Sequence, residues 1–178
     1  MNNRSKHNRI KYCITFMLAF ALFADSYGQT GSAGTTHRKN KLTEVMHYSD
    51  TANASADKIW YYYENVHLWP AWDEAMKWGK IKGKFEVGSH GVFKTKMGMK
   101  IKFKLISVTP DIEFASISPM MGATVYVYHN LEQISENETR ITHRVYMGGP
   151  MKKIWLVMFN KDLPGKGVKK IIQLVENE

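Results

Sequence analysis

The sequence predicts an α+β domain: a curved, seven-stranded antiparallel sheet wrapped around a long C-terminal helix, with two short helices after the first strand. Three observations carry that expectation. Residues 148–178 repeat apolar side chains at helical spacing, and a stripe that long needs a surface to bury it. The hundred or so residues before it show mostly period-two alternation, the mark of half-buried strands. Two short segments near residues 55 and 69 carry helix-start signals.

The N-terminal residues stand apart from this domain. Arg4, Lys6, Arg9 and Lys11 form a basic region, residues 13–23 are an apolar run, and Ser26-Tyr27-Gly28 offers small residues before a cleavage point. This is the layout of a secretory signal peptide, and the run falls short of the ~20 residues that a membrane-spanning helix needs. The expectation is export, periplasmic or secreted, with cleavage near Gly28. Residues 29–40 then read as a flexible leader rich in Gly, Ser and Thr, and 41–178 as a single domain.

Composition agrees with one globular domain: of 178 residues, 44% are hydrophobic, enough for a core. The one cysteine, Cys13, lies inside the signal, so the mature domain has no disulfide, thiol nucleophile or thiolate metal site. The formal charge of +9 falls to +6 once the signal's four basic residues and Asp25 are removed, a moderately basic balance.

Element by element, residues 42–52 alternate as a strand. Ser55 is placed to cap a helix that buries Ile59, Trp60 and Tyr63. A second short helix starts at Trp69-Pro70 and carries Trp72 and Met76 on one side. From Trp78 the period becomes two: Lys80, Lys82 and Lys84 alternate with Ile81 and Gly83. Two strands joined near Gly98 put Phe93, Thr95, Met97, Met99, Ile101, Phe103 and Leu105 on one face, and Lys94, Lys96, Lys100, Lys102 and Lys104 on the other. A short strand follows at 114–118, then two more at 124–134 and 140–147. Gly148-Gly149-Pro150 opens the long helix, with Met151, Ile154, Trp155 and Met158 on one face. Leu163-Pro164-Gly165 interrupts it, and Val168, Ile171, Ile172 and Val175 resume the stripe.

In this order the chain resembles the helix-grip fold of the START/SRPBCC superfamily, in particular its polyketide cyclase/dehydrase branch. The matching stretches are Ala54-Ser55-Ala56-Asp57-Lys58-Ile59-Trp60, Trp69-Pro70-Ala71-Trp72-Asp73, Thr139-Arg140-Ile141-Thr142-His143 and Gly149-Pro150. The resemblance implies an elongated, mostly apolar cavity between sheet and C-terminal helix that binds lipids, sterols, polyketides or other hydrophobic molecules. Fold alone does not imply activity.

The expected lining is Trp72, Met76, Phe93, Met97, Met99, Ile101, Phe103, His129, His143, Met147, Met151, Trp155 and Met158, with Met151, Trp155 and Met158 facing Phe93, Met97 and Phe103. With 11 methionines in the chain, an adaptable lining and a gap-filled core are both on offer. His129 and His143 share the apolar parity of the last two strands, which makes them first candidates for a general acid or base, or for orienting a ligand's polar group. The opposite parity would turn Tyr126, Tyr128, Thr142, Arg144 and Tyr146 inward instead. Asp73 and Glu113 are further polar candidates for a cavity mouth.

No residue spacing calls for a metal or cofactor, and no aromatic interleaving of the lysines favours nucleic acid. The lysine face reads as a solvated sheet surface, in preference to a plate touching an anionic membrane. Two functions follow: an exported binder of a hydrophobic small molecule, or a cyclase- or dehydratase-like enzyme using a cavity histidine.

Overall fold

The computed structural model describes residues 42–159 and 161–177, all within one compact unit, Lys39–Glu178. The signal, the leader and Cys13 lie outside the described residues.

β1 (Thr43–Ala52) is followed by α1 (Ala56–Glu64), a 3-10 turn (Val66–Leu68) and α2 (Trp69–Trp72). Six strands come next: β2 (Met76–Ile81), β3 (His90–Thr95), β4 (Lys100–Thr109), β5 (Glu113–Met120), β6 (Ala123–Ser135) and β7 (Glu138–Gly148). α3 (Lys152–Met158) and α4 (Leu163–Glu176) close the chain. The strands form one antiparallel sheet in the order β1-β7-β6-β5-β4-β3-β2. β1 and β2 are therefore the two edges, and the segment containing α1 and α2 crosses the whole width between them.

Alternation decides which face is buried. Ile101, Phe103 and Leu105 of β4 point inward while Lys100, Lys102 and Lys104 point to solvent, as a period of two requires. α4 lies along β1 and β7 and buries Val168, Ile171 and Val175. These join Ile59, Trp60 and Tyr63 of α1, Trp69 and Trp72 of α2, and Phe103, Phe114, Leu131 and Ile141 of the sheet in one core. Each large apolar side chain buried there contributes about 1.5–3 kcal/mol before ordering costs.

Two glycines fit the end of the sheet together. Gly122 in the β5–β6 turn has φ 64°, and a Cβ there would strike the Met151 side chain. Gly149 has φ 105°, and its Cβ would lie 2.6 Å from the Gly122 carbonyl oxygen. Only glycine satisfies both the backbone angle and the close approach.

The structure corrects several expectations. The C-terminal segment is two helices, separated at Phe159, whose φ −81° and ψ 136° are extended. Pro164 opens α4, where its missing N–H costs nothing. Pro150 precedes α3 without starting it. Met76 opens β2 and is not on the second helix, because α2 ends at Trp72 and Asp73 turns the chain. Lys82 and Lys84 lie in the β2–β3 loop beyond the strand. Ser55 holds the N-cap position of α1 but caps no backbone N–H.

Candidate functional site

Strand register sets out the inner face of β5, β6 and β7 in layers. Nearest α3, Ser118, Val125 and Met147 lie abreast; then Ser116, Val127 and Val145; then Phe114, His129 and His143. Layers are two residues apart, about 7 Å along a strand. The first two are aliphatic with buried serines. The third is aromatic and carries the imidazoles.

Both histidines face inward and are buried. The His129 ring lies flat on Phe114, with centroids 4.0 Å apart and planes within 6°. It meets His143 edge-on at 4.4 Å, and Trp72 stands edge-on to both. Tyr63, brought down by α1, shares a 2.8 Å hydrogen bond between its hydroxyl and Nε2 of His143. Gly167 of α4 faces His143 and Trp72, close enough that a Cβ there would meet both in ordinary van der Waals contact. Trp72 is held in turn by its indole N–H, which donates to the Tyr62 carbonyl at 3.2 Å.

His129 differs from its neighbour in one respect: its Nδ1 is buried with no hydrogen-bond partner. Burial holds its pKa well below the ordinary value, with the adjacent His143 adding to the effect and the Phe114 backbone opposing it. Burial alone pushes His143 down to about 3. Burial also raises the Tyr63 hydroxyl well above its usual range, so all three groups are neutral at neutral pH.

The core around this site is in two parts. The aromatic part surrounds the histidines beneath α1, α2 and α4. A smaller aliphatic part, Ala123, Val125 and Met147, is covered by Trp155, Leu156 and Phe159. α3 itself has no buried residue. Two hollows lie elsewhere on the molecule. One of about 430 Å³ opens at the sheet end beside Leu42, Met120, Gly122 and Pro150. The other, about 290 Å³, lies on the outer face beside Tyr128, Asn130, Arg144 and Tyr146.

No protein-family model and no curated protein matches the sequence. Solved structures do match in shape. Norcoclaurine synthase from Thalictrum flavum, in complex with dopamine and hydroxybenzaldehyde, is 17% identical with a TM-score of 0.63, covering 87% of this chain and 98% of that one. A START superfamily protein from Mycobacterium smegmatis is 12% identical with a TM-score of 0.60, covering 76% and 99%. Ara h 8.0201 is likewise 12% identical at a TM-score of 0.60, covering 78% and 100%. The chain has the helix-grip fold of the START/SRPBCC superfamily.

Within this helix grip, the expected lining residues fall into three groups. Trp72, Met76 and Phe103 belong to the aromatic part, with half-buried Phe93 packed against it, and His129 and His143 are buried there; Ile101 is buried but joins neither part. Met147 and Trp155 belong to the aliphatic part. Met97, Met99, Met151 and Met158 do not join either interior. Met97 is 67% exposed in the β3–β4 turn, where Met99 is half-buried; Met158 is exposed on α3, and Met151 leans on Gly122. The expected contact of Met151, Trp155 and Met158 with Phe93, Met97 and Phe103 is therefore absent, because α3 turns away from the line of α4 and covers only the far end of the sheet.

Asp73 accepts a hydrogen bond from the Ala75 N–H at 2.9 Å, and burial raises its pKa. Glu113 accepts from the Ser107 hydroxyl and from the Asn130 amide on the outer face, away from the histidines. Tyr126, Tyr128, Thr142, Arg144 and Tyr146 have the outward parity. Four site residues lie outside the expected lining: Tyr63, expected only on the buried face of α1, and Phe114, Ser116 and Ser118, whose period-two alternation along β5 is a signal the sequence carries.

Proposed function

We propose that the mature chain is an exported binding protein for a hydrophobic small molecule, lipid, sterol or polyketide-like, held between the sheet and the C-terminal helices. The observation that carries this reading is the Nδ1 of His129, a buried polar atom without a partner at the end of an aliphatic path. A buried polar group left unpaired costs about 1–3 kcal/mol, which a ligand hydroxyl or carbonyl at that point would recover. The ligand's apolar body would run along Val127, Val145, Val125 and Met147 towards α3, the element with least burial to lose on being displaced. Burial of its surface would supply about 25 cal/mol per Å² before ordering costs.

The enzyme alternative asks an imidazole to move a proton. A histidine held at about 3 is a weak base and carries no proton to give at neutral pH, so the pair suits hydrogen bonding better than acid–base work.

Native mass spectrometry of the purified protein, with extraction of bound compounds, tests the reading. A retained apolar compound is expected, and His129→Phe should weaken binding of fluorescent fatty acids or sterols about tenfold. No retained compound and no binding of either probe would overturn it. N-terminal sequencing of protein recovered outside the cytoplasm should begin at Gln29; recovery only from the cytoplasm would remove the exported part.

A further inference from the structure

We propose that the α3 end of the molecule is a docking surface for an anionic lipid bilayer. The inference goes beyond the ligand reading and stands even if that reading fails.

Register and hydrogen bonds bring several separate segments to this end. The Met151 N–H donates to the Gly122 carbonyl at 2.9 Å, and the Trp155 indole donates to the Met121 carbonyl at 2.9 Å. Lys152 Nζ donates to the Thr43 hydroxyl at 3.0 Å. The pairing of Lys104 with Ile117 places the start of β4, and with it the β3–β4 turn, at the same end as the close of β5. From these segments large apolar side chains project into solvent: Val157 is 88% exposed and Met121 53%, with Met97, Leu42, Ile154 and Met158 beside them. Six of the ten exposed large apolar side chains among the described residues gather at this end, whereas Val87, Ile112 and Ile134 stand singly at three connections of the other.

Charge separates along the same axis. Lys77, Lys96, Lys100, Lys152 and Lys153 ring this end, and none of them stands in a salt bridge among the described residues. The carboxylates nearby are engaged: Glu74 with Lys166, Asp73 with the Ala75 N–H, and Glu44 with Tyr146 and His47. At the opposite end Asp50, Glu86, Asp111, Glu136, Glu138 and Glu176 outnumber Lys58, Lys82, Lys84 and Arg140. A molecule with a basic, apolar-tipped end and a mixed, net acidic end presents the first to an anionic surface.

The shape also fits lipid. The apolar groups sit on the β3–β4 and β5–β6 turns, on α3 and at Leu42 ahead of β1. Flexible methionines and long lysines can enter the acyl boundary while their ammonium groups stay among the phosphates. The mid-sheet lysines Lys102 and Lys104 stand on the outer face away from this end and remain solvated.

The test uses the full chain with Cys13→Ser. Val157→Cys, or Val87→Cys at the opposite end, carries an environment-sensitive fluorophore. The N-terminal residues join the domain at Leu42, at this same end, so the charge reversal below, which leaves them untouched, separates their membrane affinity from that of the surface. With vesicles of equimolar phosphatidylcholine and phosphatidylglycerol, the probe at 157 should shift to the blue while the probe at 87 should not. Adding Lys100→Glu with Lys153→Glu should raise the lipid needed for a half-maximal shift about tenfold or more. The proposal is overturned by no shift at 157, equal shifts at both positions, an equal response to phosphatidylcholine alone, or an unchanged response in the charge-reversed protein.

Discussion

His129 and His143 sit side by side on β6 and β7 with ring centroids 4.4 Å apart, yet Nε2 of His143 meets the Tyr63 hydroxyl at 2.8 Å while Nδ1 of His129 is buried with no partner. Two imidazoles in the same layer of the sheet are thus in opposite states: one completes a buried hydrogen bond, the other leaves one open. That asymmetry makes the two positions respond differently to substitution.

Tyr63→Phe removes the partner of His143 and leaves a second buried nitrogen unpaired, which should cost about 1–3 kcal/mol of stability in urea unfolding. His129→Phe removes an already unpaired atom and keeps an aromatic ring stacked on Phe114. It should change stability by less than about 1 kcal/mol, or raise it. Equal losses in the two variants would mean that His129 is satisfied as well as its neighbour.

Acid should destabilise the protein earlier than its carboxylates can account for. Both imidazoles have folded pKa values below the unfolded value of 6.5, so the unfolded chain binds protons that the folded chain does not. Full stability is present above pH 6.5. It falls as pH drops from there towards the folded values, about 3 for His143, at up to about 1.4 kcal/mol per pH unit for each histidine. Urea melts between pH 7 and about 5, above the main carboxylate range, isolate this effect. The slope there should shrink in His129→Phe, and an unchanged slope would place the proton uptake elsewhere.

Gly91 on β3 lies directly under the Phe103 ring, and a Cβ at that position would run into the ring and the Lys80 carbonyl. Phe103 is buried against Trp69 at a centroid distance of 5.1 Å and cannot retreat without opening the aromatic core. Gly91→Ala should therefore cost about 1–3 kcal/mol, the usual range for overpacking, although alanine is only one methyl larger. The same substitution at Gly98, where no atom lies within 4 Å, meets only the cost of its positive φ. Thermal unfolding of the two variants compares clash with backbone strain.

Much of this was written locally in the chain. Period-two alternation decided the inward face of β4 and put both histidines on one parity with the apolar residues of β6 and β7, because a strand cannot turn one residue without turning all its neighbours; the fold chose that parity over the tyrosine one. Proline and glycine marked the start of α2 and the turn at Gly98. The division of the C-terminal segment into two helices was only half legible. Leu163-Pro164-Gly165 signalled an interruption, but a proline opens a helix as readily as it breaks one, and the sheet and core beneath decided which.

What the sequence determined by itself was the order of strands and helices, the buried parity of β4 and the helix-grip arrangement they imply. What only the tertiary structure decided was partnership. Tyr63 and His143 are 80 residues apart, Phe114 and His129 are on different strands, and nothing in local spacing says that one imidazole gains a hydroxyl while the other is laid on an aromatic face with its Nδ1 unpaired. Periodicity is a property of neighbours along the chain, whereas hydrogen-bond satisfaction depends on which distant group folding delivers to a given atom.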